Sequence, residues 1–134
     1  MVQNADQIQM KRVPEKMDVY APDTTEIRLL TNMSRGSMVH CVLPAGQISL
    51  AGMHHTVEEI WYVLQGQGEV WLKRQDEERE EALSPDMSFT IPAGTQFQVR
   101  NTGAEPLCCV IVTMPPWPGE QEWERVVDHF TQKR

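Results

Sequence analysis

The sequence predicts an all-β domain, a sandwich or barrel of short strands. Three observations carry that prediction. From Ile27 to Met114, apolar stretches such as "IRLLT", "MVHCVL" and "LCCVIVTM" alternate at close intervals with turn segments such as "NMSRGS" and "PAGQ", the pattern of many short strands broken by Gly, Pro and Asn. A length of 134 residues suits one domain with a continuous core that needs neither disulfides nor a structural metal. The apolar share of 40% and the charged share of 23% are ordinary for a globular chain and exclude disordered, collagen-like and coiled-coil architectures.

Taken in order, residues 1–24 are sparse in apolar groups and are expected to form an arm or an edge strand that reaches a partner. Residues 27–114 are the barrel. Within it, 58–64 and 69–72 read as strands joined by a "QGQG" hairpin turn whose glycines permit positive φ. The run "KRQDEEREE", residues 73–81, lies between strand signals and reads as a solvated hairpin loop with no chemistry. Residues 115–134 begin with Pro115, Pro116 and Pro118, which favour an extended crossing of the surface. Trp123, Val126, Val127 and Phe130 then recur at helical spacing, so a short amphipathic C-terminal helix is expected, packed on the barrel or on a second subunit.

Several function classes are excluded at this level. A net charge of −7 argues against nucleic acid, whose binding needs clustered Lys and Arg. No apolar run nears the roughly 20 residues of a membrane span, and "MVQNADQIQMKR" lacks the apolar stretch of a secretory signal, so a cytoplasmic location without membrane contact is expected. Cys41, Cys108 and Cys109 form no C-x-x-C pair and read as free thiols; Cys41 reads as buried and structural rather than activated. There is no G-x-S-x-G elbow, H-E-x-x-H helix or phosphate loop.

The stretch "AGMHHTVEEIWYVLQGQGEV", residues 51–70, sets His54 and His55 ahead of Glu58 and Glu59. Gly46, five residues, Gly52, Met53, His54, four residues, Glu59, six residues and Gly66 reproduce one spacing, and Asp86, Pro92, Gly94, Phe97 and Asn101 in "DMSFTIPAGTQFQVRN" a second. These two segments resemble the paired motifs of the cupin superfamily, and the ending "VTMPPWPG" is similar to that of some small bacterial cupins. The resemblance implies a double-stranded β-helix, or jelly-roll, barrel that pairs as a homodimer through sheet edges and terminal arms. It also implies a divalent first-row ion, Fe, Mn, Ni, Cu or Zn, held by three histidines and a glutamate. Carried over position by position, this chain keeps His54 and Glu59, while Gly52 and Phe97 stand where the family has its other two histidines, and Asp86 replaces a glycine.

Two protein ligands are fewer than the three of a typical catalytic zinc site. His55 would complete the set only if the backbone bulges, because neighbours on a straight strand face opposite ways. Strand parity alone pairs His55 with Glu59 and His54 with Glu58, so which histidine faces the lumen stays open. His40, Gln96 and Gln98 are further candidates to line the pocket. Trp61 shares parity with Glu59, and Trp61 and Phe97 either wall a small-molecule pocket or fill the barrel. The leading expectation is a small-molecule-binding cupin with a degenerate metal motif, its pocket lined by His54 or His55, Glu59, Trp61 and Phe97. The alternative is an enzyme, either metal-dependent through His54, His55 and Glu59 or proton-transferring with Glu59 as base and a histidine as acid. A third expectation is a partner-binding module built on the Trp117 and Trp123 tail.

Overall fold

A computed structural model of the chain describes residues 5–131. Eleven strands form among them: β1 (Val19–Tyr20), β2 (Glu26–Met33), β3 (Gly36–Leu43), β4 (Gly52–His54), β5 (Glu58–Gln65), β6 (Gly68–Arg74), β7 (Glu77–Leu83), β8 (Ser88–Ile91), β9 (Gln96–Asn101), β10 (Leu107–Met114) and β11 (Trp123–Arg125). They make two antiparallel sheets, one of six strands in the order β1-β2-β3-β10-β5-β8 and one of five in the order β11-β4-β9-β6-β7. The strands alternate as a half-buried pleat requires: Glu59, Trp61 and Val63 of β5 and Leu107, Cys109 and Ile111 of β10 are buried, while their neighbours are exposed or half-buried. Those inward side chains meet Phe97 and Val99 of β9 and Val70 of β6 to form the core between the sheets. All three cysteines are free.

Three expectations are corrected here. "QGQG" is not a hairpin turn, because β5 pairs with β10 and β8 while β6 pairs with β7 and β9; it is a corner that carries the chain from one sheet to the other. Gly66 has a φ of 96°, and a side chain at Gly68 would strike the Arg100 carbonyl, so this corner does need its glycines. The charged run 73–81 is not a loop either: β6 and β7 run through it and turn between Arg74 and Glu77. β7 is the edge of its sheet and is exposed on both faces, so charge along it protects an unpaired edge.

The C-terminal helix does not form. A single 3-10 turn at Glu120–Glu122 leads into β11, which pairs with β4, Trp123 opposite His54 and Arg125 opposite Gly52. The open edge of β4 offers backbone partners that an isolated helix would forgo. Val126 and Phe130 then pack with Ala51 and Trp71 on the outside of the five-stranded sheet, while Val127 stays exposed. The helical spacing is thus met by residues that dock one at a time. At the other end, the expected arm carries the short edge strand β1, and Arg28 holds the carbonyls of Pro14 and Glu15; residues 1–4 lie outside the described residues. No described helix is long and apolar enough to cross a membrane.

Candidate functional site

β4 ends at His54, and the chain bends at His55–Thr56 before β5 begins. The bend breaks the straight-strand parity, so His54 and Glu59 face the same interior. It is held from the far end of the chain: the Glu122 carboxylate accepts from the Thr56 amide at 2.6 Å, the Val57 amide at 2.9 Å and the Thr56 hydroxyl at 2.7 Å. Burial alone would raise the pKa of Glu122, but those donors hold it down at about 2, as charge-assisted bonds to a carboxylate do. His54 is 5% exposed and Glu59 6%. His55 turns outward, half-exposed, with Nε2 at 3.5 Å from Glu124.

Inside, Glu59 Oε1 accepts the Trp61 indole N–H at 2.8 Å. Glu59 Oε2 stands 3.6 Å from His54 Nδ1, too far for a hydrogen bond, and Nδ1 is buried with no partner. The imidazole is packed edge-on against Phe97 at 5.3 Å and Trp117 at 5.2 Å between ring centres. Burial pushes Glu59 up to about 8, with the Trp61 bond opposing and Asp23 adding. Burial pushes His54 down to about 4, with Glu122 opposing and His55 adding. Near neutral pH the pair is therefore a protonated acid beside a neutral imidazole, because a desolvated site disfavours both charges. This reverses the expected roles of Glu59 as base and histidine as acid.

The pair lies in a cavity of about 350 Å³ between the sheets. Ile27, Leu29, Val39 and Ile111 supply aliphatic wall; Trp61, Phe97, Trp117 and Trp123 supply rings; Asp23, Thr25 and Thr113 add polar groups. Trp61 and Phe97 thus do both jobs weighed for them, since each lines the cavity and belongs to the core. The structure does not bring the remaining candidates here. His40 alternates with the inward Val39 and Cys41 and lies on the outer face of β3. Gln98 is buried on the opposite face of β9 from Phe97, donating to the Ser49 and Phe130 carbonyls and accepting from the His129 and Phe130 amides. That full set makes it the anchor of the C-terminal tail. Gln96, two residues away, shares the parity of Gln98 and lies outside the cavity lining.

Sequence reasoning missed Asp23, Thr113, Trp117 and Trp123 as pocket residues. The three prolines that predicted a surface crossing carry Trp117 over the cavity, and β11 brings Trp123. The tail expected to bind a partner contributes both of these indoles to the pocket wall. No local signal marks Asp23, which reaches the cavity because the β1–β2 connection folds inward, with Asp23 O accepting from the Leu50 amide.

The donor set does not fit a metal ion. Among the described residues, no three His, Cys, Asp or Glu side chains are grouped to hold one. The two replaced family positions, Gly52 and Phe97, are register partners across β4 and β9. Phe97 fills its position with a phenyl ring, and at Gly52 a Cβ would overlap the Trp123 indole. His54 and Glu59 remain as the donors of the motif, and none of His40, His55, Gln96 and Gln98 joins them.

Comparison with known proteins agrees with the fold. A family model described as a cupin domain matches residues 39–113, more than half of the chain. MJ1618, an uncharacterized protein of Methanocaldococcus jannaschii, is 32% identical over 122 residues, which cover 84% of this chain and 94% of that protein. Among solved structures, BH2720 of Bacillus halodurans superposes with a TM-score of 0.64 at 28% identity, over 69% of this chain and 72% of its own. A double-stranded β-helix protein of Klebsiella pneumoniae superposes with a TM-score of 0.68 at 17% identity, over 91% of this chain and 100% of its own.

Proposed function

The chain belongs to the cupin domain family, and from that premise we propose that it is a small-molecule-binding cupin in which the metal motif has given way to an aromatic pocket. One observation carries the reading: a buried acid and a buried imidazole face each other without a bond in a cavity otherwise walled by aliphatic and aromatic side chains. A concave, mostly apolar site with a few convergent polar groups is the usual form of a small-molecule pocket. Apolar burial would supply most of the affinity, and the pair would orient one polar end of the ligand by donating from Glu59 and accepting at His54 Nδ1.

The four tryptophans give a direct test. Trp61, Trp117 and Trp123 line the cavity, whereas Trp71 packs on the outer face of the five-stranded sheet, where its indole N–H donates to Glu78. In a nuclear magnetic resonance titration with small ring compounds, the indole N–H signals of the first three should shift while that of Trp71 stays in place. A response confined to Trp71, or no indole response to any compound, would refute the pocket reading.

A second reading has its own support. A protonated acid beside a neutral imidazole is the arrangement of a general acid and base, which favours an isomerase-like proton transfer on the same ligand. Glu59→Gln should then abolish turnover, and a variant that still turned over would refute it. The homodimer belongs to the same proposal: Ile60, Tyr62 and Leu64 are exposed along the outer face of β5, and Ile8 and Met10 along the arm. Light scattering that returned the monomer mass at micromolar concentration would refute it.

A further inference from the structure

The ionisable side chains that border the cavity are chiefly carboxyl groups. Asp23, Glu59 and Glu120 border it, and among the described residues no Lys or Arg does. Among the described residues His54 is the one basic side chain in the lining, and its ring is buried. An anionic ligand would enter an apolar site, lose its water and meet no cation, which is costly.

The buried acids are also short of partners. Asp23 is 5% exposed and receives both of its side-chain bonds, from the Thr25 amide at 3.1 Å and the Thr25 hydroxyl at 2.7 Å, on Oδ1. Apart from Thr25 and its own backbone N–H, no donor among the described residues reaches that carboxyl group. Glu59 likewise takes its one bond, from Trp61, on Oε1. Burial pushes both acids up, and a cation in the cavity would oppose that shift. His54 Nδ1, also buried and unpartnered, accepts an N–H in the tautomer that carries the ring proton on Nε2. Around these acceptors stand the rings of Trp61, Phe97, Trp117 and Trp123, whose faces attract a desolvated cation.

We propose that the ligand of this pocket is a small protonated amine on an apolar body, its ammonium group held by Asp23 and Glu59, donating to His54 Nδ1 and bordered by the indole rings. The inference rests on the small-molecule reading above and adds the charge class of the ligand. The amine supplies donors to two buried carboxyl groups that have few, while its carbon skeleton lies against the aliphatic wall of Ile27, Leu29 and Val39.

Three probes of one shape test it: benzylamine, which is protonated at neutral pH, benzyl alcohol and benzoate, each titrated into the full chain and followed by the indole N–H signals. Benzylammonium should bind at least about tenfold more tightly than benzyl alcohol, a margin that one charge-assisted bond supplies, and benzoate more weakly than either. Asp23→Asn should erase most of that preference, with benzylammonium losing far more affinity than benzyl alcohol. Glu59→Gln, which keeps the side-chain shape, should do the same and stands in if the first variant does not fold. Benzyl alcohol or benzoate binding as tightly as benzylammonium would overturn the charge class and leave the pocket reading intact, as would a preference that survives both substitutions. Failure of all three probes to shift any indole signal would overturn both.

Discussion

Replacing Glu59 by glutamine isolates the electrostatics of the pocket. In the folded chain Glu59 is pushed from 4.5 up to about 8 and His54 from 6.5 down to about 4. Between pH 4.5 and 8 the unfolded chain has lost the Glu59 proton that the folded chain keeps, so stability falls as pH rises, at about 1.4 kcal/mol per unit. His54 acts in the opposite sense: between pH 4 and 6.5 the unfolded chain binds a proton that the folded chain refuses, so stability rises with pH at the same rate. The two slopes cancel where they overlap. Above the overlap there is a net loss from pH 6.5 to pH 8 of about 2 kcal/mol. Glutamine copies the shape of the protonated acid, keeps an Oε1 acceptor for the Trp61 indole and does not titrate. Asp23, also raised by burial, is present in both proteins and contributes with the same sign to each. The stability difference between Glu59→Gln and the parent should therefore widen by about 2 kcal/mol from pH 6.5 to pH 8, read from urea midpoints at half-unit pH steps. Parallel curves above pH 6.5 would show that Glu59 ionises normally in the fold, and the protonated-acid, neutral-imidazole description of the site would be wrong.

Two further predictions concern the lost metal positions. Gly52→Ala sets a methyl group against the Trp123 indole and should cost about 1–3 kcal/mol in urea unfolding as β11 is pushed off β4; a neutral substitution would mean that the indole does not occupy this space. Elemental analysis of protein purified without an affinity tag should find far less than one first-row ion per chain, a residue that is no lower in His54→Ala/His55→Ala; stoichiometric metal that disappears in the variant would show that other ligands complete the set.

Much of the fold is legible because its cause is local. Alternation of apolar and polar residues reports which side of a pleat each side chain takes, and so places Glu59 and Trp61 on one face without knowledge of what lies opposite. The spacing of Gly46, Gly52, His54, Glu59 and Gly66 reports the turns and strands of one barrel segment in the same way. Periodicity misleads where tertiary pairing overrides it: the Trp123–Phe130 spacing suits a helix, but the free edge of β4 takes the segment as a strand.

What the sequence by itself determined is the barrel, the inward face of β5 and the loss of two of the motif's histidines. Tertiary structure alone decided that His54 and not His55 faces inward, because the bend between them depends on a Glu122 carboxylate more than sixty residues away. It also decided that Trp117, Trp123 and Asp23 enclose the pocket and that Gln98 anchors the tail on the other face. These groups are distant along the chain and brought together by ladder register. No local pattern carries that information, since register is set by the summed pairing of all the strands and not by the residues that meet.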